Sequence, residues 1–487
     1  MNIKKKYQQL PVTVRASMWF FVCSFLQRGI STLTTPIFTR LLSKSEYGDY
    51  SAFMSWLEII TVFATLKLGF GVFMQGCVKF EENRAKFASS LLALATTWWF
   101  GALVIYGVFH NFWNHLFGLS TFEMLCMFVM MLATIAFNFW SVIKRVDFDY
   151  VPLVKLTLLI SVLKPVFGVA GILLFPQHRL QARIASLALV ELLCYAGLYF
   201  SIRKGSKVWY DKQYWKYALG YNLPLIPHFL SQTILNHSDR IMIKQMCGNA
   251  DAGVYSLAYN ISMIMTMVNT SIQNTLNPWI YKKIKEKQFK EIASVSYVVL
   301  GIVALANFML ICIAPELVRV FAPPEYFEAI YVIPPVAMGC YFLFMYCLYA
   351  DFELYEAKTT YMMIASVIGA GLNLLLNYIF IQQFGYIAAA YTTLICYMVY
   401  SGVHYIFMRH VCKKNLDNVH VYDMRIILGI SAVFIISGIL MMNLYTQIWA
   451  RYLILAALVG VVYLKRKQLL AILGPVLKNK KKKGKEA

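Results

Sequence analysis

The chain has 487 residues, is 60% hydrophobic and only 14% charged, and has a mean hydropathy of +0.60. Soluble domains carry about 25% charged residues, so composition alone excludes an ordinary water-soluble fold. The net charge of +22 raises nucleic-acid binding as an alternative, and the placement of the charges has to decide it.

Fourteen apolar stretches follow in chain order, each near the ~20 residues that cross a hydrocarbon core. They cover 16–38, 50–70, 88–109, 119–141, 151–175, 182–202, 217–243, 252–276, 292–314, 328–350, 361–381, 385–408, 424–445 and 447–464. The expected fold is an all-α polytopic membrane protein. The first span follows Lys4, Lys5 and Lys6, but its length and Arg28 do not suit a cleaved signal peptide. Ten cysteines are scattered singly with no Cys-x-x-Cys pair, which speaks against a metal site or a disulfide framework.

With the N-terminus placed in the cytoplasm, 34 of the 45 lysines and arginines fall in inner connections. Six fall in outer ones (Arg40, Lys44, Arg179, Arg183, Lys244 and Arg319), and Arg28, Lys67, Lys164, Arg240 and Arg451 lie within spans. This is the positive-inside asymmetry, and it puts both termini inside. The positive charge therefore reports topology, and no nucleic-acid partner is expected. The Lys478–Lys485 tail reads as a solvated end attracted to the anionic headgroups of membrane lipids.

An internal repeat is visible. Ser45-Glu46-Tyr47-Gly48-Asp49-Tyr50-Ser51 and Ala250-Asp251-Ala252-Gly253-Val254-Tyr255-Ser256 share an acid, a Gly, a Tyr and a Ser at an offset of 205. That offset spans six crossings, which return the chain to the same side, so the expected halves are parallel repeats. Residues 1–210 then form an N-terminal lobe of helices 1–6, and 211–412 a C-terminal lobe of helices 7–12. Residues 413–487 are two appended helices and a basic cytoplasmic tail. A common helix-start turn would also give Gly-x-Tyr-Ser, so the clustering carries the argument.

No Gly-x-x-x-x-Gly-Lys-Ser/Thr loop is present. Asp147-Phe148-Asp149 has the spacing of a metal–sugar-nucleotide site, but its connection is too short to build a nucleotide pocket. The outer connections leave no room for a catalytic domain. Transport, without enzymatic chemistry or a cofactor, is the expectation.

Charges within spans are costly and usually face a cavity or a partner. Arg28, Lys67, Lys164 and Arg240 are the candidates for a cationic cavity that would suit an anionic headgroup such as a diphosphate. Competing readings have Lys67 and Arg451 snorkelling to the interface and Asp239 and Arg240 pairing locally. Glu58 and Asp239 are the candidate ion-coupling groups, for a proton or sodium ion, with Glu123 and Glu191 behind Glu58. Pro224, Pro227 and His228 mark a broken seventh helix, because proline removes backbone donors, and broken helices in transporters often mark the binding element.

Four segments resemble the Wzx-type polysaccharide flippases: Leu42–Tyr50, Leu223–His228, Ser238–Ile243, and Asn373 with Asn377, Tyr378, Gly385 and Ala388–Ala390. The resemblance implies the fold of the multidrug/oligosaccharidyl-lipid/polysaccharide exporter superfamily, with two six-helix lobes, a cationic cavity and alternating access. It implies undecaprenyl-diphosphate-linked oligosaccharide as cargo, carried across the bacterial inner membrane for O-antigen or capsule. Polysaccharide polymerase and chain-length proteins would be its partners. The arginines that peptidoglycan-precursor flippases carry in the first and eighth spans are not matched, since span 8 has none. A cation-coupled multidrug exporter and a scaffold of a glycan-assembly complex are the alternative readings.

Overall fold

The computed structural model describes residues 11–482, with side chains as far as Gln468. The basic start at Lys4–Lys6 and the side chains of the Lys478–Lys485 tail lie outside the described residues. Among the described residues the chain is helical with no strand. Nine of the helices among the described residues are long and apolar enough to cross a membrane. Other helices are more polar, as the seventh span is with Gln232, Asn236, His237, Asp239 and Arg240.

The chain divides into two compact units, Met1–Ile241 and Met242–Ala487. The first holds α1 (Val12–Leu41), α2 (Lys44–Thr65), α3 (Val72–Lys79), α4 (Arg84–Val108), α5 (His110–Phe117), α6 (Thr121–Val146), α7 (Tyr150–Leu174), α8 (Arg179–Gly205), α9 (Lys212–Asn222) and most of α10 (Ile226–Met246). The second holds α11 (Asn249–Ser262), α12 (Ile264–Lys285), α13 (Phe289–Cys312), α14 (Ala314–Phe321), α15 (Ile333–Tyr355), α16 (Thr359–Phe384), α17 (Ile387–Asn415), α18 (Met424–Met442) and α19 (Ile448–Lys482).

The repeat is a repeat of elements. α2 and α11 begin 205 residues apart, as do α4 and α13, and α5 and α14 follow within one residue of that offset. The motif thus opens an equivalent helix in each unit, with Gly48 and Gly253 both buried. Capping chemistry sets the starts of α2 and α6. Ser43 accepts from the Glu46 amide while the Glu46 carboxylate accepts from the Ser43 amide at 2.8 Å, and Ser120 with Glu123 does the same at the start of α6. Glu123 is therefore engaged in helix capping, which accounts for it without an ion-coupling role.

In the first unit α6 packs on α8, α7 on α8, and α1 on α7. Phe73, Phe87 and Phe139 close one core, and Met127, Phe128, Met131 and Ile184 another. Lipid tails are as apolar as these side chains, so the gain comes from close packing. In the second unit α15 is central and buried along most of its length, and it packs on α17 and α13. Arg451 does not snorkel as expected. It is 2% exposed and donates to the Cys312 carbonyl and to both Glu316 oxygens, each at 2.7 Å.

Candidate functional site

The α7–α8 hairpin places the site. Its turn lies near Gln177 and His178, and Lys164 and Glu191 stand equally far from it on the two helices. At 1.5 Å per residue, that is about 20 Å along the hairpin. The Lys164 ammonium donates to the Glu191 carboxylate at 2.5 Å. Glu191 is buried, and its second oxygen has no partner. Gly171 allows the two helices to approach, since a Cβ there would lie 2.4 Å from the Ser186 hydroxyl and 3.1 Å from the Ala182 carbonyl.

A cavity of about 300 Å³ opens beside this hairpin and is bounded by α1, α2, α6, α7 and α8. Arg145, Lys164 and Arg183 line it with Gln27, Ser31 and Thr157. Arg183 is 8% exposed, and its guanidinium carbon lies 3.2 Å from the Phe38 ring centre and 4.1 Å from that of Tyr50. The two rings hold the cation by cation–π attraction. Its Nε and Nη1 groups are buried with no hydrogen-bond partner. A buried donor without an acceptor is costly, and an anion in the cavity would satisfy it.

A second cavity of about 350 Å³ lies in the same unit, lined by Glu58, Thr61, Lys67, Asn138, Lys164 and Glu191 among others. Lys164 lines both. The Lys67 ammonium stands 3.9 Å from Glu58, just past the break after α2. Leu66 and Lys67 both take left-handed backbone angles, with φ of 50° and 47°. Such angles cost a non-glycine residue about 1–2 kcal/mol each. The Asn222 side chain, 1% exposed, donates to the Leu66 carbonyl and steadies the break. Across the two cavities, four cations (Lys67, Arg145, Lys164, Arg183) face two carboxylates (Glu58, Glu191). The excess is two positive charges.

The remaining expected residues lie elsewhere. Arg28 is on α1 but exposed and outside both cavity linings. The cavity face of α1 runs Phe20, Ser24, Gln27, Ser31, Thr34 and Phe38 at helical spacing, and Arg28 is rotated about 100° from Gln27. Asp239 and Arg240 are buried in α10, 2% and 8% exposed, with the Arg240 Nη1 3.4 Å from the His237 Nδ1. Neither lines the two cavities. Pro224 lies in a 3₁₀ turn, and Pro227 opens α10 one residue after its start, so the chain changes helix type between α9 and α10. His228 follows, half-buried, with its Nδ1 unpartnered.

Arg145 and Arg183 were missed because counting by connection assigned them to loops. Arg183 belongs to a four-residue stripe down α8, with Leu187, Glu191 and Tyr195. That spacing marks one helix face and was the available signal.

The sequence model of the polysaccharide biosynthesis protein family matches residues 13–284, more than half of the chain, and that of the MatE family matches 224–379. A protein of the Lsg locus of Haemophilus influenzae is 28% identical over 134 residues, covering 26% of this chain and 33% of that relative. Among solved structures, the lipid II flippase MurJ in an inward closed conformation superposes with a TM-score of 0.66 at 16% identity, covering 92% of this chain and 99% of that one. An inward-facing multidrug resistance MATE transporter gives 0.57 at 13% identity, covering 80% and 96%. A MOP superfamily transporter from Pyrococcus furiosus, described by the reversed polarity of its binding pocket, gives 0.55 at 16% identity, covering 82% and 95%. These structural likenesses speak for fold. Together with the family match they show that the chain belongs to the polysaccharide biosynthesis protein family and carries the multi-pass fold of the multidrug/oligosaccharidyl-lipid/polysaccharide exporter superfamily, as its Wzx-type resemblance implied.

Proposed function

We propose that this chain moves an undecaprenyl-diphosphate-linked oligosaccharide from the cytoplasmic to the outer leaflet of the bacterial inner membrane, by alternating access, for surface polysaccharide such as O-antigen or capsule. The observation that carries this reading is the first unit's cavity, with its surplus of cations and the unpartnered N–H groups of Arg183. A cavity of about 300 Å³ suits a phosphate-sized group rather than a whole oligosaccharide. The diphosphate would sit there while the prenyl tail stays in lipid. Lys164 and Lys67 belong to this proposed site, joined by Arg145 and Arg183; Arg28 and Arg240 act outside it. The proposed lobes of helices 1–6 and 7–12, with helices 13–14 appended and both termini cytoplasmic, follow the repeat and the charge asymmetry.

A membrane potential negative inside assists the outward movement of an anion. For two net negative charges the gain is about 4–5 kcal/mol per 100 mV. A cation-exporting drug carrier would favour a cavity dominated by carboxylates, whereas here they are outnumbered. Deleting the gene in a strain without a second flippase should trap lipid-linked repeat units on the cytoplasmic leaflet and remove the surface glycan. Undiminished surface glycan would sink the proposal.

A further inference from the structure

The second unit contains a buried acid–base pair that the cargo site does not use. Glu353 of α15 and His404 of α17 are both 0% exposed, and the His404 Nδ1 lies 2.8 Å from a Glu353 oxygen. The other Glu353 oxygen and the His404 Nε2 are buried, and each lacks a hydrogen-bond partner. Glu353 was not among the intramembrane carboxylates expected from sequence because it lies beyond the apolar stretch 328–350.

The chemistry of these atoms is restrictive. With one proton on Nδ1, donated to the carboxylate, the pair carries a net negative charge in surroundings where an uncompensated charge costs several kcal/mol. One further proton, on Nε2 or on the free Glu353 oxygen, makes the pair neutral overall. Those are the two atoms left without partners. The imidazole lies 4.6 Å from the Tyr400 ring and 5.1 Å from the Tyr346 ring, an aromatic setting that favours a cation.

We infer that Glu353 and His404 form a proton-binding site of the second unit, holding one exchangeable proton. Releasing that proton leaves a buried net charge unless the site opens to water, so release and conformational change are linked. A proton, not a metal, is the ligand: among the described residues, no three His, Cys, Asp or Glu groups are gathered closely enough to hold a metal ion. The groups facing the pair are few. α15 supplies Tyr346 and α17 supplies Tyr400, whose rings pack on the imidazole. α16 buries Ser366, Asn373 and Asn377, which are uncharged. Asp351, two residues before Glu353 and about 200° round α15 from it, is buried on another face and is the control. The site stands independently of the cargo; its use as the driving ion for transport rests on the flippase reading.

The test is an infrared pH titration of the full-length protein in lipid nanodiscs, with no cargo added. The signature of the protonated pair, either the carbonyl band of a protonated Glu353 or the ring modes of a His404 imidazolium, should rise over the background of the other carboxyl groups on acidification of the wild type and be missing in Glu353→Gln. In His404→Gln the band should move, because the carboxyl has lost its partner, while Asp351→Asn should leave it in place. Glu353→Asp, which keeps the group but shortens its reach, should move the band and covers the case that Glu353→Gln does not fold. A band that persists in Glu353→Gln, or that does not move in both His404→Gln and Glu353→Asp, overturns the site. In vesicles, Glu353→Gln should abolish the response of cargo flipping to an imposed pH gradient while flipping without a gradient continues. An unaltered gradient response with an intact spectral result would remove the coupling role alone. Failure of wild-type flipping would count against the cargo reading and leave the spectral result standing.

Discussion

Arg183→Gln is the perturbation that bears most directly on the cargo site. The guanidinium presents two buried N–H groups without partners, and each charge-assisted hydrogen bond to a phosphate oxygen is worth about 1.5–3 kcal/mol. Losing one such bond at the bound headgroup lowers its affinity by about tenfold to a hundredfold, at 1.4 kcal/mol per decade. Stability should change little. The contacts with Phe38 and Tyr50 contribute about 1–2 kcal/mol, and removing a buried, unsatisfied cation offsets that loss. Arg183→Lys should be intermediate, since charge survives but the planar stacking fork does not. The assay is complementation of a deletion strain, with surface glycan measured against protein level in the membrane. Arg28→Gln is the internal contrast and should retain more activity, because Arg28 is not part of either cavity lining. Full glycan export by Arg183→Gln at normal protein level would refute the reasoning.

Other expectations follow from the same structure. Lys164→Gln strands the buried Glu191 carboxylate, so it should cost about 3–5 kcal/mol and lower the amount of protein; adding Glu191→Gln should restore the amount but not export, and an immunoblot with a glycan assay separates the two. Gly171→Val should splay the α7–α8 hairpin against Ser186 and Ala182 and reduce export, whereas Gly171→Ala should be milder. On α14, outside the spans, the hydrogen bond from Arg451 holds the Glu316 carboxyl below the usual carboxylate range. Because that pKa is depressed in the folded state, the pair stabilises the protein above the ordinary carboxylate range and the contribution is lost as pH falls through the depressed value. Glu316→Gln should therefore lower the melting temperature at neutral pH and narrow its gap from wild type in acid, as scanning fluorimetry would show. The Lys282–Lys290 connection should resist membrane-impermeant cysteine labelling from outside intact cells, and strong labelling would overturn the topology.

Much of the fold was legible in the chain. The Ser43–Glu46 box marks where α2 begins, because capping is local chemistry and needs no tertiary information, and the recurring Glu/Asp–Gly–Tyr–Ser pattern marks the equivalent start of α11. The site was less legible because it is built across helices. Lys164 has no acid within four positions on its own helix, yet Glu191 stands beside it, at the mirror position across the hairpin turn. Reading that symmetry would have found the pair. Arg28 looked as buried as Lys164 from its place mid-span, but rotation about the helix axis, which span-counting ignores, separates the two. Arg183 shows the converse. It lies in the first turns of α8, close enough to the end to be counted as a loop residue, and the rings of Phe38 and Tyr50 draw it inside.

The central claim is that this chain itself carries the lipid-linked headgroup across the membrane. The direct measurement reconstitutes the purified full-length protein in liposomes that contain a fluorescent undecaprenyl-diphosphate oligosaccharide in both leaflets, and adds a membrane-impermeant quencher. Liposomes without protein should quench about half of the signal, and those with wild-type protein nearly all of it, with Arg183→Gln slowing the second phase. Half-quenching with correctly folded wild-type protein present, at either sign of membrane potential, would contradict the account.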